Sequence, residues 1–414
     1  MSYFSEKLNR VVLLSLFCFF VAGSLYAQQK IEGLSYIDGK PISVEIKDGK
    51  ITRIESVDGL TPENKNKYIA PGLIDNQVNG FKGVTFGFGG GDLTLEDVTT
   101  ATKALWERGV TTYFPTLVTS DHKLLLKNFS ILAKAKEDKA LLGSIPGFHL
   151  EGPYISSIDG FRGAHALKYV KEPDWEEFME LYEASNENIL TVTVAPEIEG
   201  AMDFIKKCNN KGIVVSLGHH NGNAQQINEA VENGAKTCTH LGNGCANMIN
   251  RHDNPLWPQL ANENLMISII CDGFHLRPEE IKVFTRAKGY DKTIITSDVT
   301  KFAGLEPGIY KNMIGDDLEL TADGIVQYPA QKVLAGSASA INKGVGHVMK
   351  VTGCSLADAI KMASTNSAKL YGLTDRGTLG VGKRADLVVF TLDDYKMDVK
   401  RTYVKGKLVY SSPE

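Results

Sequence analysis

Glu151, His219, His240 and Asp298 are the residues whose types and positions point most directly to chemistry, since each ends or closely follows a short apolar run. Two imidazoles and a carboxylate supply three ligands to a divalent ion and leave a place open for water, as a catalytic metal site requires. Such an ion makes the bound water a nucleophile at neutral pH and polarises a carbonyl oxygen. Asp298 then fits the base that takes the water's proton and returns it to a leaving amine. Gln77, Asn79, Asp272 and His275 occupy similar places after apolar runs. One buried histidine is usually a hydrogen-bonded core residue, but several ligand-type side chains at successive strand ends are not explained that way.

These residues need a scaffold that brings strand ends together. Helical spacing of Val98, Ala101, Leu105 and Trp106 is stopped by Gly109, after which Val110 to Thr119 reads as a strand. Asn223 to Gly234 repeats the pattern before the strand Lys236 to His240. Further strand candidates are Leu142 to Ile145, Ile189 to Ala195, Ile213 to Leu217, Met266 to Cys271 and Thr293 to Ser297. Repeated βα units of this number predict a closed (β/α)8 TIM-like barrel, whose site lies at the C-terminal ends of its strands. No phosphate-binding glycine fingerprint opens a doubly wound sheet instead.

Both chain ends read differently, as hairpins. Ile42 to Ile46 and Ile51 to Ile54 flank Asp48-Gly49, and Thr402 to Val404 and Leu408 to Tyr410 flank Lys405-Gly406-Lys407. We therefore expect residues 28–69 and 385–414 to build one small β-sandwich around a barrel of residues 70–384. Residues 1–27 read as a signal peptide: Lys7 and Arg10 precede an apolar run from Val11 to Leu25 that ends in small residues before Gln28. At about 15 residues that run is short of the roughly 20 that span a bilayer. Cys18 follows bulky Phe17, which argues against lipidation. Export to the periplasm or outside the cell is expected, with a cytoplasmic location if the leader is misread.

The composition is that of a globular chain with a sizeable core, at 43% hydrophobic and 23% charged residues. A net charge of -4, with Lys and Arg scattered among Asp and Glu, gives no basic face for nucleic acid. Cys208, Cys238, Cys245, Cys271 and Cys354 follow the leader with no CxxC pair, so no disulfide framework is legible.

Around the candidate residues the chain reads His149-Leu-Glu151-Gly-Pro153, Gly218-His219, Thr239-His240-Leu241 followed by Asn243, Asp272-Gly-Phe-His275 and Thr296-Ser-Asp298. In this order these segments resemble the N-acetylglucosamine-6-phosphate deacetylases of the amidohydrolase superfamily. Pro71 to Asp75 and Gly377 to Val389 are similar to the borders of superfamily barrels. The resemblance implies a hydrolase of linear amide C–N bonds in amino-sugar catabolism, releasing acetate from N-acetylglucosamine 6-phosphate. It implies one divalent ion on Glu151, His219 and His240, zinc first and iron, cobalt or manganese as other occupants, with Asp298 as acid/base. His275 is implied to polarise the amide carbonyl, and His165, Asn243 and Gly244 to contact substrate. Arg251 is implied to reach the substrate phosphate in a neighbouring subunit, hence a homodimer.

Several residues depart from that pattern. Gln77-Val-Asn79 stands where many superfamily members carry a His-x-His pair for a second metal, so one ion is expected, with Gln77 and Asn79 beside the site. His149 shares a strand face with Glu151 and is read as a structural neighbour. His220 follows the ligand histidine where a small residue is usual, and Gly242, Gly244 and Cys245 alter the substrate loop. A leader sits awkwardly with a phosphorylated metabolite. The alternatives are a deacylase of an unphosphorylated N-acyl sugar or N-acyl amino acid, and a sugar-binding protein on a retired barrel.

Overall fold

The computed structural model describes residues 29–87, 93–311, 317–329 and 333–413. The expected leader, residues 1–27, and Cys18 lie outside the described residues.

Eight parallel strands form the barrel, each beside its predecessor in the chain: Leu73–Val78, Val110–Val118, Phe148–Glu151, Ile189–Val194, Val214–Leu217, Ala235–Cys238, Met266–Ile270 and Thr293–Thr296. The ring closes where Val78 pairs with Val299 and the Asp298 N–H donates to the Gln77 carbonyl at 3.1 Å. Side chains such as Leu117, Leu150, Val192, Leu217 and Ile295 are buried in the main core. Between strands the helices start at capping residues: Thr94 opens Leu95–Trp106 and Asn223 opens Ala224–Glu232, each with a reciprocal capping box.

The chain ends combine into one seven-stranded sheet. Tyr68–Pro71 is its joint, parallel to Gln29–Ser35 on one side and antiparallel to Leu387–Asp393 on the other. The sheet curls on itself, since the Ile51 N–H donates to the Lys383 carbonyl and the Ala385 N–H to the Gly49 carbonyl, both at 2.9 Å. Ile31, Val44, Ile51, Ile69, Leu387 and Val389 pack in the small core so enclosed.

Two features differ from the sequence reading. Leu142 to Ile145 is a turn and not a strand, because Leu142 and Gly143 both adopt left-handed backbone (φ 54° and 71°) after a short helical turn. The third barrel strand begins at Phe148 instead. A four-stranded antiparallel sheet, Gly308–Lys311, Asp317–Leu320, Ile325–Tyr328 and Val333–Ser337, follows the eighth strand and was not anticipated. Its strands are four or five residues long, too short to declare a period.

The helix Ile341–Thr352 binds the two parts through a close backbone approach at Gly346, where a Cβ would lie 1.6 Å from the Tyr395 carbonyl oxygen. Gly346→Ala therefore forces the helix away from the terminal sheet, at a cost of about 1–3 kcal/mol by the usual penalty for overpacking. Thermal denaturation should show a Tm several degrees below wild type; an unchanged Tm contradicts this packing.

Candidate active site

Glu151 is the last residue of the third barrel strand, while His219, His240 and Asp298 each sit two residues past the end of theirs. Those three have left-handed backbone, φ 52°, 29° and 51°, a conformation that costs of order 1–3 kcal/mol at a residue other than glycine. Hydrogen bonds hold each turn. The His219 carbonyl accepts from the Ser156 N–H, the His240 N–H donates to Ser268 Oγ, and the Asp298 N–H donates to Gln77 O. The turns bring Glu151, His219 and His240 into contact and set Asp298 within electrostatic reach of His240 and Glu151.

There Glu151 Oε1 lies 3.2 Å from His219 Nε2 and 3.0 Å from His240 Nε2, and the two Nε2 atoms are 3.2 Å apart. His165 Nε2 stands 3.2 Å from His219 Nε2, and Glu151, His165 and His219 offer ligand atoms all within 4.8 Å of one another. Proton positions follow from the partners on the far side of each ring. His219 Nδ1 faces the Phe161 carbonyl at 3.1 Å, which can only accept, so Nδ1 donates there and Nε2 is the nitrogen turned towards Glu151. His165 Nδ1 lies 2.8 Å from Thr119 Oγ1, whose own proton goes to the Glu151 carbonyl, so His165 Nδ1 donates and Nε2 turns inward too. The Nε2 atoms of His165, His219 and His240 and the Glu151 carboxylate thus converge in a buried pocket. A cation satisfies them together, and the 3.0–3.2 Å spacings approach the edge of a tetrahedron with bonds of about 2.0–2.1 Å. The donor set therefore fits a divalent ion.

Charge follows the same logic. Burial alone would raise the Glu151 carboxyl, but the His219 and His240 imidazoles that face it hold it well below its ordinary range. Burial would lower His240, yet its bond to Glu151 and the charges of Asp298 and Glu151 raise it to about 9. Burial, with His219 adding to it, takes His165 down to about 3.

Asp298 is held from the first strand. Its Oδ1 accepts from Gln77 Nε2 at 3.0 Å and from Asn79 Nδ2 at 2.7 Å. The two amides at the His-x-His position thus anchor the candidate base. Burial, helped by the Glu151 charge, raises Asp298 against the pull of His240, Asn79 and His275, which suits a group that must take a proton. Asp272 fixes His275: its Oδ2 meets His275 Nδ1 at 2.7 Å and its Oδ1 accepts the N–H groups of Phe274 and His275.

Gly163 and Gly244 enclose the His219 ring. A Cβ on Gly244 would come within 2.8 Å of His219 Nδ1, and one on Gly163 within 2.9 Å of His219 Cε1. Asn243 keeps the turn through its N–H to the His240 carbonyl, and its buried Nδ2 has no partner, so the amide is unclaimed beside a small cleft that His219, Gly244 and Gln259 also line. His220 turns away, accepting from the Gly222 N–H at 3.1 Å and reaching Gln259. His149 lies inside the barrel against Thr193 and Thr116 and makes no hydrogen bond to the cluster. Arg251 is exposed on the loop after Asn243, with no ion pair to its guanidinium among the described residues. Cys208, Cys238, Cys271 and Cys354 are buried, and all five described cysteines are free thiols.

Thr119, Gly163 and Asp75 escaped the sequence reading as parts of this site. Asp75 was legible only as part of the Pro71 to Asp75 border. Its carboxyl is fully buried beneath Asp298, and burial raises it to about 7 against the hydrogen bonds from Ser297 and Gln77. Among the described residues no helix is long and apolar enough to cross a membrane.

The model of the amidohydrolase family matches residues 68–409. Among known proteins, the chain is 30% identical over 383 residues to the N-acetylglucosamine-6-phosphate deacetylase of Bacillus subtilis, covering 90% of this chain and 93% of that protein. It is 33% identical over 356 residues to the human enzyme of that name, covering 84% of each. Two solved structures with the same name superpose closely. The Thermotoga maritima deacetylase has a TM-score of 0.79 at 28% identity, and a mutant of the Mycobacterium smegmatis deacetylase in complex with N-acetyl-D-glucosamine-6-phosphate has 0.81 at 25%. Each covers 93% of this chain and all of its own.

Two outcomes test the geometry. Gly244→Ala pushes a methyl into the His219 ring and strains a position at φ 62°, so the purified variant should bind divalent metal at least about tenfold more weakly in chelator competition, as losses of ligand support usually do. Equal affinity contradicts the cradle. The Asp75 carboxyl titrates higher in the folded than in the unfolded chain, so its contribution to stability is present near pH 4 and lost as pH rises through about 7. Asp75→Asn should therefore gain Tm relative to wild type between about pH 4 and 7 and level off above. A difference independent of pH contradicts the shift.

Proposed function

The chain belongs to the amidohydrolase family and, within it, resembles the N-acetylglucosamine-6-phosphate deacetylases along most of its length, and from this premise we propose that it hydrolyses N-acetylglucosamine 6-phosphate to glucosamine 6-phosphate and acetate. The observation that carries the reading is the convergence of Glu151, His219 and His240 at 3.0–3.2 Å beside an Asp298 anchored by two amides.

Glu151, His219 and His240 would hold one divalent ion, zinc first, with His165 alongside. When bound, that ion lowers the pKa of a water and polarises the acetyl oxygen. Asp298 takes the proton of the attacking water as the new C–O bond forms. It then delivers that proton to the amide nitrogen as the C–N bond breaks, so acetate and a free amine leave. Gln77 and Asn79 keep Asp298 Oδ1 engaged, which leaves Oδ2 for the proton. His275, pinned through Nδ1 by Asp272, presents Nε2 to the acetyl oxygen. His165 and the free amide of Asn243 would bind the sugar, with Gly244 leaving room.

Arg251 would meet the phosphate from the partner protomer of a homodimer, which accords with its exposure and unpaired guanidinium. Export by residues 1–27 remains part of the proposal and favours a second reading, an unphosphorylated N-acyl sugar as substrate.

Acetate release by the mature chain separates these. The 6-phosphate should turn over with a kcat/KM at least about a hundredfold above that of N-acetylglucosamine, the range that a charge-assisted anchor supplies. Asp298→Asn should lose about a thousandfold in kcat, within the span of general acid–base catalysis. Faster turnover of the unphosphorylated sugar overturns the phosphate assignment, and an active Asp298→Asn overturns the mechanism.

A further inference from the structure

Asp75 is a buried carboxylate that the mechanism above does not use. It projects from the first barrel strand across the seam to the eighth, where its Oδ1 accepts from the Ser297 N–H at 3.1 Å. The Gln77 N–H and Thr296 Oγ1 lie at 3.5 Å from the same oxygen. Ser297 is the residue before Asp298, and Gln77 is one of the two amides on Asp298 Oδ1. Asp75 therefore touches both ends of the link that orients the base.

The seam is where such help is needed. Neighbouring barrel strands elsewhere are joined by parallel ladders, as in Ile267–Ile270 with Thr293–Thr296. The first and eighth strands share no ladder, and Val78 pairs with Val299 only as an isolated bridge beyond the eighth strand's end. Asp298 itself is in left-handed backbone. Around it the seam is held by the Asp298 N–H to Gln77 O bond, the N–H groups of Asn79 and Gly80 on the Val299 carbonyl, the Ser297 Oγ to Gln77 O contact at 3.4 Å, and Asp75 on the Ser297 N–H.

We propose that Asp75 is a positioning residue for the hydrolytic reaction, its carboxylate fixing the Ser297 and Gln77 backbone so that Asp298 faces the attacking water. This rests on Asp298 being the base. A carboxylate oxygen is suited to gathering several donors, whereas an amide oxygen is a weaker acceptor with fewer sites. A residue serving only to close the barrel would not need a charge: Asp75 Oδ2 is buried without a partner, so the ionised form is held at a cost to stability.

Asp75→Asn keeps the shape and removes the charge. At about pH 8 its kcat should fall about tenfold with KM within about twofold of wild type, the pattern of an interaction realised only in the transition state. Its Tm at that pH should be no lower than wild type, and its metal content per chain unchanged. A kcat within twofold of wild type overturns the proposal. So does a lowered kcat accompanied by a lowered Tm or lost metal, which would mark Asp75 as structural. A wild-type chain that releases no acetate would count instead against the function itself, and Asp298→Asn compared in parallel keeps the two failures apart.

Discussion

The Nε2 atoms of His165 and His219 and the Glu151 carboxylate meet at contacts of 3.2 Å inside this barrel, a donor set that a divalent cation would satisfy. The surroundings of the cluster orient these donors. The Phe161 carbonyl and Thr119 hydroxyl take the outward protons of His219 and His165 and so fix which nitrogen of each ring turns inward. Gly163 and Gly244 let the His219 ring lie where any side chain would displace it. Three left-handed residues place the rings and the base, and each is strained in isolation.

The barrel meets that strain by distributing it. Strands two to seven are locked to their neighbours by parallel ladders, which lets the turns after the fifth and sixth strands rest on Ser156 and Ser268. The seam between strands one and eight is the weak point of the ring, and it carries Asp298. Side chains of the first strand replace the missing ladder: Gln77 and Asn79 grip the carboxylate, and Asp75 grips the backbone behind it. The first strand thus supports Asp298 with two neutral amides.

Much of this was legible in the residues alone, for a physical reason. Parallel strands buried on both faces read as apolar runs, and a polar side chain just past such a run has few explanations, so Glu151, His219, His240, Asp272 and Asp298 stood out. Helices announced themselves through apolar spacing, as at Val98, Ala101, Leu105 and Trp106 before Gly109. What stayed hidden depended on contacts distant in sequence. Nothing in the text near Gly163 says that its missing Cβ makes room for His219, and nothing near Thr119 says that its hydroxyl sets the His165 tautomer. Asp75 read as part of a border, because its partner Ser297 lies 222 residues away. Leu142 to Ile145 misled because two left-handed residues leave no mark on an apolar pattern.

The central claim is that Glu151, His219 and His240 hold one divalent ion on which hydrolysis depends. X-ray diffraction from the metal-loaded protein, recorded on both sides of the metal's absorption edge, tests it directly. The account predicts a single anomalous peak per chain within about 2.0–2.3 Å of Glu151 Oε1, His219 Nε2 and His240 Nε2. No peak there, or a peak ligated by other residues, contradicts it.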